Sequence, residues 1–297
     1  MLTAWAAVSL TFVALRLTGA DPVSNLLSQG LASPQQVEAL RHRLGLDLPL
    51  VVQYLQFLAR LLRGDLGTSI YTSRPVLGII AEQLPQTAAL AGCGLLFSLA
   101  IGLGLGVYAG WDERGRGGRL AGGLAGLATA MPVALTGILA IWLVGIAGQH
   151  TGATEWMTAL QGLVLPALVL GVASSGAVAR VVQAGLRESL KAPYFLAAIA
   201  RGLPPGPRLL WHALRPALPP AISLIALEAA FLFAGTVVTE TVFSRPGLGR
   251  LLISSILQGD YPIAQGLVIL AAVVYTASYI VADVLSLLLD PRLRRAV

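Results

Sequence analysis

Lysine, cysteine and histidine are nearly missing from this chain of 297 residues, and charge of either sign is scarce. The one lysine, Lys191, lacks the neighbouring glycines that wrap a phosphate, and no Gly-x-x-x-x-Gly-Lys-Ser/Thr stretch occurs, so ATP hydrolysis by that route is excluded. The one cysteine, Cys93, lies in an apolar run, which leaves neither a disulfide framework nor a thiolate metal cluster. His42, His150 and His212 are far apart in the chain and read as solvated or packing histidines rather than metal ligands. Charged residues make up 11% of the chain, against about 25% in soluble domains, while 56% are hydrophobic and the mean hydropathy is +0.78. Such a chain is a polytopic membrane protein. Its net charge of +6 would point to nucleic acid in a soluble protein. Here the arginines gather between apolar runs, so the charge reports topology and no nucleic-acid partner is expected.

Six spans are expected, with both termini cytoplasmic, because short basic loops stay inside. The first apolar run, residues 1–15, is short of the roughly 20 residues that cross a bilayer. Either it tilts little and Arg16 snorkels, or the true start lies upstream. A cleaved signal peptide ending near Ala20 is the rival, and the lack of a basic region ahead of the run counts against it. Domain division follows the polarity: residues 1–16 as the first span, 17–82 as a mixed-charge external loop domain, and 83–297 as a five-helix core. Within the loop domain, Ser33 reads as an N-cap before a helix from Pro34 to Leu44 stopped by Gly45, and Val51 to Leu62 reads as a second helix ended by Gly64. The further spans are placed at 83–111, within 120–146, within 163–182, at 221–239 and at 263–288. Gly122, Gly123 and Gly126 offer small residues for close helix packing, and Pro132 should kink the third span.

The longest basic interval, residues 180–220, carries Arg180, Arg187, Lys191, Arg201, Arg208 and Arg215 against Glu188 alone. It reads as two short helices separated by Gly202 and the prolines that follow. The run Leu196-Ala197-Ala198-Ile199-Ala200-Arg201-Gly202 resembles the Glu-Ala-Ala loop of importer permeases of the ATP-binding-cassette class. That likeness implies docking on an ATPase subunit through Leu196, Ala197, Ala198, Gly202 and the closing Pro220. Leu196 stands where the family has an acid, so a salt bridge made there is lost. A basic amphipathic loop on anionic lipid is the plainer reading of the same residues.

Two further stretches narrow the resemblance. Leu44-Gly45-Leu46-Asp47-x-Pro49-Leu50, Gln53-Tyr54, Gly64-Asp65-Leu66-Gly67-x-Ser69 and Arg74-Pro75-Val76 occur in order after the first apolar run. Gly235-Thr236-Val237-Val238-x-Glu240-x-Val242-Phe243-Ser244-x-Pro246-Gly247-Leu248-Gly249-Arg250 is followed by Asp260-Tyr261-Pro262, Gln265-Gly266, Asp283 and Asp290-Pro291-Arg292. Together these resemble the dipeptide, oligopeptide and nickel permeases, in the subunit type with a long loop after its first span. Arg245 departs from the aromatic residue expected there.

The resemblance implies an all-α type I importer permease fold in the bacterial inner membrane, without a cofactor of its own. Its implied partners are a second permease subunit, two ATP-binding subunits, an extracytoplasmic binding protein and membrane lipid. It further implies that Pro246, Gly247, Gly249, Asp260, Tyr261 and Pro262 form an external gate or binding-protein contact.

From the residues themselves, Pro246 to Gly249 make a tight turn ahead of a short helix or re-entrant segment from Arg250 to Leu257 that Gly259 ends. Carboxylates within spans cost about 2.5 to 3.5 kcal/mol at the membrane centre, so Glu228 and Asp283 should face the bundle or a wet path. For Glu228 a substrate-path role and a structural hydrogen-bonded role both stand. Asp283 reads as structural. A secondary transporter or channel without ATPase coupling is the alternative, but no matched halves with broken helices are seen, and a membrane enzyme would need converging acid, base or metal groups. Di- and oligopeptides and nickel chelates remain open as substrates.

Overall fold

The computed structural model describes residues 2–17, 33–151 and 160–289. The Asp290-Pro291-Arg292 motif, the small residues ending at Ala20 and most of the segment between the third and fourth spans lie outside them. Among the described residues the structure is helical, with one isolated antiparallel bridge between Thr68 and Pro75. The helices are α1 (Leu2–Leu17), α2 (Pro34–Leu44), α3 (Leu50–Leu62), α4 (Val76–Trp111), α5 (Arg116–Ala130), α6 (Val133–Thr151), α7 (Leu165–Lys191), α8 (Pro193–Ala200), α9 (Arg215–Val242), α10 (Leu248–Gln258) and α11 (Tyr261–Leu289). Wider π-helical turns precede α7, at Leu160–Val164, and α9, at Arg208–Leu214.

Local chemistry accounts for several of these ends. Ser33 Oγ accepts from the Gln36 backbone N–H while the Gln36 side chain takes the Ser33 N–H, a reciprocal capping box that starts α2. Gly45, at φ 66°, ends it. Gly259 does the same for α10 at φ 80°.

Four helices, α4, α7, α9 and α11, are long and apolar enough to cross a membrane among the described residues. The expected third span is not one rod. Its two halves, α5 and α6, meet at Met131-Pro132 with a bend of 105°, and would count as a fifth span only if taken as one broken element. Proline lacks the N–H that would continue the ladder and its ring crowds the preceding turn, so the chain turns sharply where a kink was expected. Helix α1, at 16 residues, is a shorter apolar helix and is not among the candidate spans, so the described residues hold four or five spans where six were expected.

Close packing falls on other glycines than expected. A Cβ at Gly123 or Gly126 would meet nothing within 4 Å, whereas one at Gly102 or Gly106 of α4 would strike the backbone carbonyls of Ser175 and Ala179 on α7. From the other side of α7, Gly176 admits the Ala125 carbonyl and Thr129 of α5. Small residues thus let α4 and α5 approach α7 backbone to backbone, as helices in lipid require without a hydrophobic drive between them.

The chain divides into two compact units. One is formed by Met1–Gln86 with Pro246–Thr276, the other by Thr87–Arg245 with Ala277–Val297. In the first unit α10 and the start of α11 lie with the N-terminal residues. In the second unit α7 is central, packed by α5, α6 and α9.

Candidate functional site

The basic interval is shorter as a loop than the charges indicate. Arg180 and Arg187 lie on α7, which runs on to Lys191, and Arg215 opens α9. Pro220 does not close the loop but sits inside α9 with Pro219. The interruption of the regular ladder comes earlier, at the π-helical turn before α9. What remains between α7 and α9 is α8, a bend at Gly202, and the turn Pro205–Pro207 leading into that π turn.

Helix α8 has two distinct faces. Phe195 is buried with Leu186 of α7, Ala213 of the π turn and Ala217 of α9, and Val107, Leu190 and Leu209 pack on the same cluster. The Arg208 guanidinium lies 5.7 Å from the Phe195 ring centroid. Ala198 is buried too, with 3% of its surface exposed. On the opposite face Leu196 is 57% exposed, and Tyr194, Ala197, Ile199 and Arg201 are exposed with it. Of the predicted docking alanines, then, Ala197 faces out and Ala198 holds the helix to its own subunit. Gly202 is exposed at φ 72°, and a Cβ there would meet nothing, so its role is conformational rather than steric. Leu210 and Trp211 of the π turn are also exposed.

The other basic loop is tied to α7. The Asp112 carboxylate accepts from the Gly118 N–H at 3.1 Å, the Gln183 amide donates to the Ala109 carbonyl at 3.4 Å, and Arg187 pairs with Glu113 at 3.5 Å.

The predicted gate residues separate by burial. Gly247 and Gly249 are buried at the start of α10, and Pro246 is exposed. Asp260 is 2% exposed, and its carboxylate accepts from Ser69 Oγ–H at 2.5 Å and from the Ile70 N–H at 3.3 Å. Ser69 Oγ in turn accepts from the Thr72 N–H, and the Tyr71 hydroxyl donates to the Gln258 carbonyl. Tyr261 is buried beside it, and Pro262 stands where a side chain at Gly67 would just touch it. Asp260 and Tyr261 therefore do not present side chains to a binding protein. They fasten the turn at residues 67–72 to the α10–α11 corner, and a buried carboxylate is stable there because its oxygens are hydrogen-bonded. Arg245, where an aromatic was expected, donates to the Gly162 carbonyl.

Glu228 lies half-buried on α9. Asp283 is exposed on α11. A carboxylate that sequence reading left without a role is more deeply placed: Glu240 of α9 is fully buried and accepts from Thr87 Oγ–H of α4 at 2.6 Å. In the sequence it stands out as an acid within a long apolar helix and as a member of the run from Gly235 to Arg250.

Comparison with known proteins bears on this arrangement. Residues 102–295 match the family described as binding-protein-dependent transport system inner membrane component, and residues 2–91 match the N-terminal part of such membrane components. The chain is similar to a probable peptide ABC transporter permease protein of Sinorhizobium fredii, at 32% identity over 95% of this chain and 92% of that protein. It is also similar to the di/tripeptide transport system permease protein of Pseudomonas aeruginosa, at 33% identity over 96% and 93%. The dipeptide transport system permease protein of Escherichia coli K12 is 31% identical over the same shares. Among solved structures, one titled "Crystal structure of an amino acid ABC transporter with histidines" superposes with a TM-score of 0.50 at 16% identity, over 74% of this chain and 94% of that one. This last likeness concerns the fold alone.

Proposed function

The chain belongs to the binding-protein-dependent transport system inner membrane components, as a permease subunit of an ABC importer and not an enzyme, and on that premise we propose that it imports short peptides and is driven through the outer face of α8. An ATPase and an extracytoplasmic binding protein work with it, as membership of that family entails. The relatives named for peptide and dipeptide transport favour peptides over nickel as the cargo.

In this reading the chain is one half of a pore completed by a second permease subunit, with two ATP-binding subunits below and both termini on the cytoplasmic side. The observation that carries it is the division of labour on α8. Its inner face carries buried Ala198 and is locked by Phe195 to the ends of α7 and α9, while its outer face offers Tyr194, Leu196, Ala197 and Ile199 as an unfilled apolar surface. A partner that pushes on the outer face moves α7 and α9 with it, because the buried cluster does not shear freely.

Opposite outcomes are expected from two neighbouring alanines. An Ala197→Arg change adds charge and bulk to the outer face, and should leave the subunit folded while the ATPase no longer co-purifies. An Ala198→Leu change overfills the inner face and should destabilise the subunit by about 1–3 kcal/mol. Undiminished ATPase association by a folded Ala197→Arg subunit would refute docking on α8.

A further inference from the structure

Within the unit formed by Met1–Gln86 and Pro246–Thr276, a cavity of about 260 Å³ opens between α1, the end of α3, the turn at residues 65–70 and the first turns of α11. A single ordered water needs only about 10–15 Å³, so this space holds solvent and a small group besides. Its polar lining is lopsided. Arg16, Arg60 and Gln265 bring donors, and Asp65 brings the one carboxylate.

The donors are held in place and not used up. Arg16 Nε donates to Gln53 Oε1 at 2.8 Å, and the Gln53 amide is itself anchored on the Leu46 and Leu48 carbonyls. The guanidinium carbon lies 3.7 Å above the Phe12 ring centroid, which fixes the plane of the fork. Its Nη1 is nonetheless buried without an acceptor. Gln265 is 8% exposed, and its Nε2 likewise has no acceptor. Asp65 accepts the Gly67 N–H at 2.8 Å. Among the described residues no carboxylate comes within ion-pair distance of Arg16 or Arg60. Arg16 and Gln265 both line the cavity, and each carries a buried donor without an acceptor, a desolvation cost that an acceptor-rich anion would remove.

We propose that this cavity is a binding site for one oxyanion, a carboxylate or phosphate group, held by Arg16 and Gln265 with Arg60 at its side. The planar guanidinium fork suits two oxygens of such a group at once, and charge-assisted bonds of this kind are about twice as strong as neutral ones. Asp65 disfavours larger polyanions, so the site takes a single group.

The group has two sources, a free anion or the phosphate of an anionic lipid, and one experiment separates them. The complete transporter is placed in phosphatidylcholine nanodiscs and titrated with inorganic phosphate or acetate against chloride at equal ionic strength, with thermal unfolding as readout. A second sample is prepared with phosphatidylglycerol, and retained lipid is read by native mass spectrometry. A saturable rise in Tm with phosphate or acetate assigns a soluble anion. Retention of phosphatidylglycerol without that rise assigns a lipid. In either case Gln265→Leu should weaken the response at least tenfold, and Arg16→Met, which keeps its stem on Phe12, should abolish it.

No Tm response and no retained lipid in the wild type would overturn the site, whether or not the variants assemble. A response of equal size in assembled Gln265→Leu and Arg16→Met complexes would overturn it as well. Because none of these readouts requires transport, they do not depend on peptides being the cargo.

Discussion

Ser69 donates its hydroxyl hydrogen to the Asp260 carboxylate across 2.5 Å, joining two turns that lie 191 residues apart in the chain. The first turn follows the loop helices and the second separates α10 from α11, so one buried carboxylate fixes how the loop's last residues meet the start of a long span. Asp260→Ala removes both the Ser69 and the Ile70 bonds and leaves their donors buried. The expected loss is about 1–3 kcal/mol, read as a lower Tm and faster proteolysis near Arg74. Asp260→Asn, which still accepts, should lose less. Equal behaviour of Asp260→Ala and wild type in both assays would remove the fastening role.

Thr87 and Glu240 form the corresponding polar contact inside the second unit, both fully buried. Thr87→Val keeps the shape but withdraws a donor from a buried carboxylate, so the subunit should be destabilised by about 1–3 kcal/mol. Thr87→Ser keeps the hydroxyl and should stay near wild type. Thermal unfolding in detergent decides it, and a Thr87→Val subunit as stable as Thr87→Ser would show that this bond contributes nothing net.

Gly202 holds a left-handed backbone at φ 72° with open space where a side chain would stand. A substitution is therefore strained by conformation and not by collision. Gly202→Asn, which tolerates this region, should keep transport, whereas Gly202→Val should lose both transport and ATPase association. Uptake and co-purification measured side by side test the distinction. Equal loss in both variants would mean that the partner surface, and not the backbone, excludes side chains here.

How far these features could be read in advance depends on their range. Ser33, Gly45 and Gly259 act on their own helix ends, so residue type and spacing sufficed. The apolar length of α4, α7, α9 and α11 was legible for the same reason, although charge placed the end of α7 too early: α7 continues beyond Val182 to Lys191. Pro132 announced a break but not its size, because the angle depends on what α5 and α6 pack against. The orientation of Ala198 was hidden, since adjacent alanines look alike until Phe195 finds its cluster. Ser69 and Asp260 carry no periodic signal at all, and only the folded chain brings them together.

Topology is tested by single cysteines in a Cys93→Ala background. Gly118 is unsuitable as a reporter, because it is buried and a Cβ there would stand 1.9 Å from the Asp112 carbonyl oxygen. Arg114→Cys serves instead for the short basic loop, and Arg63→Cys for the loop after α1, both being exposed positions. An impermeant maleimide applied to intact cells should label Arg63→Cys and spare Arg114→Cys. The reverse pattern would invert the chain in the membrane.

The central claim, ATP-driven peptide import coupled through α8, is tested most directly by uptake into proteoliposomes containing this chain with its second permease and ATPase subunits. A radiolabelled dipeptide and the cognate binding protein are supplied outside the vesicle in the orientation that leaves the ATPases within. Accumulation should require both enclosed ATP and the binding protein, and should vanish with Ala197→Arg. Dipeptide accumulation driven by an ion gradient without ATP, and undiminished by Ala197→Arg, would contradict the account and make this chain a secondary transporter.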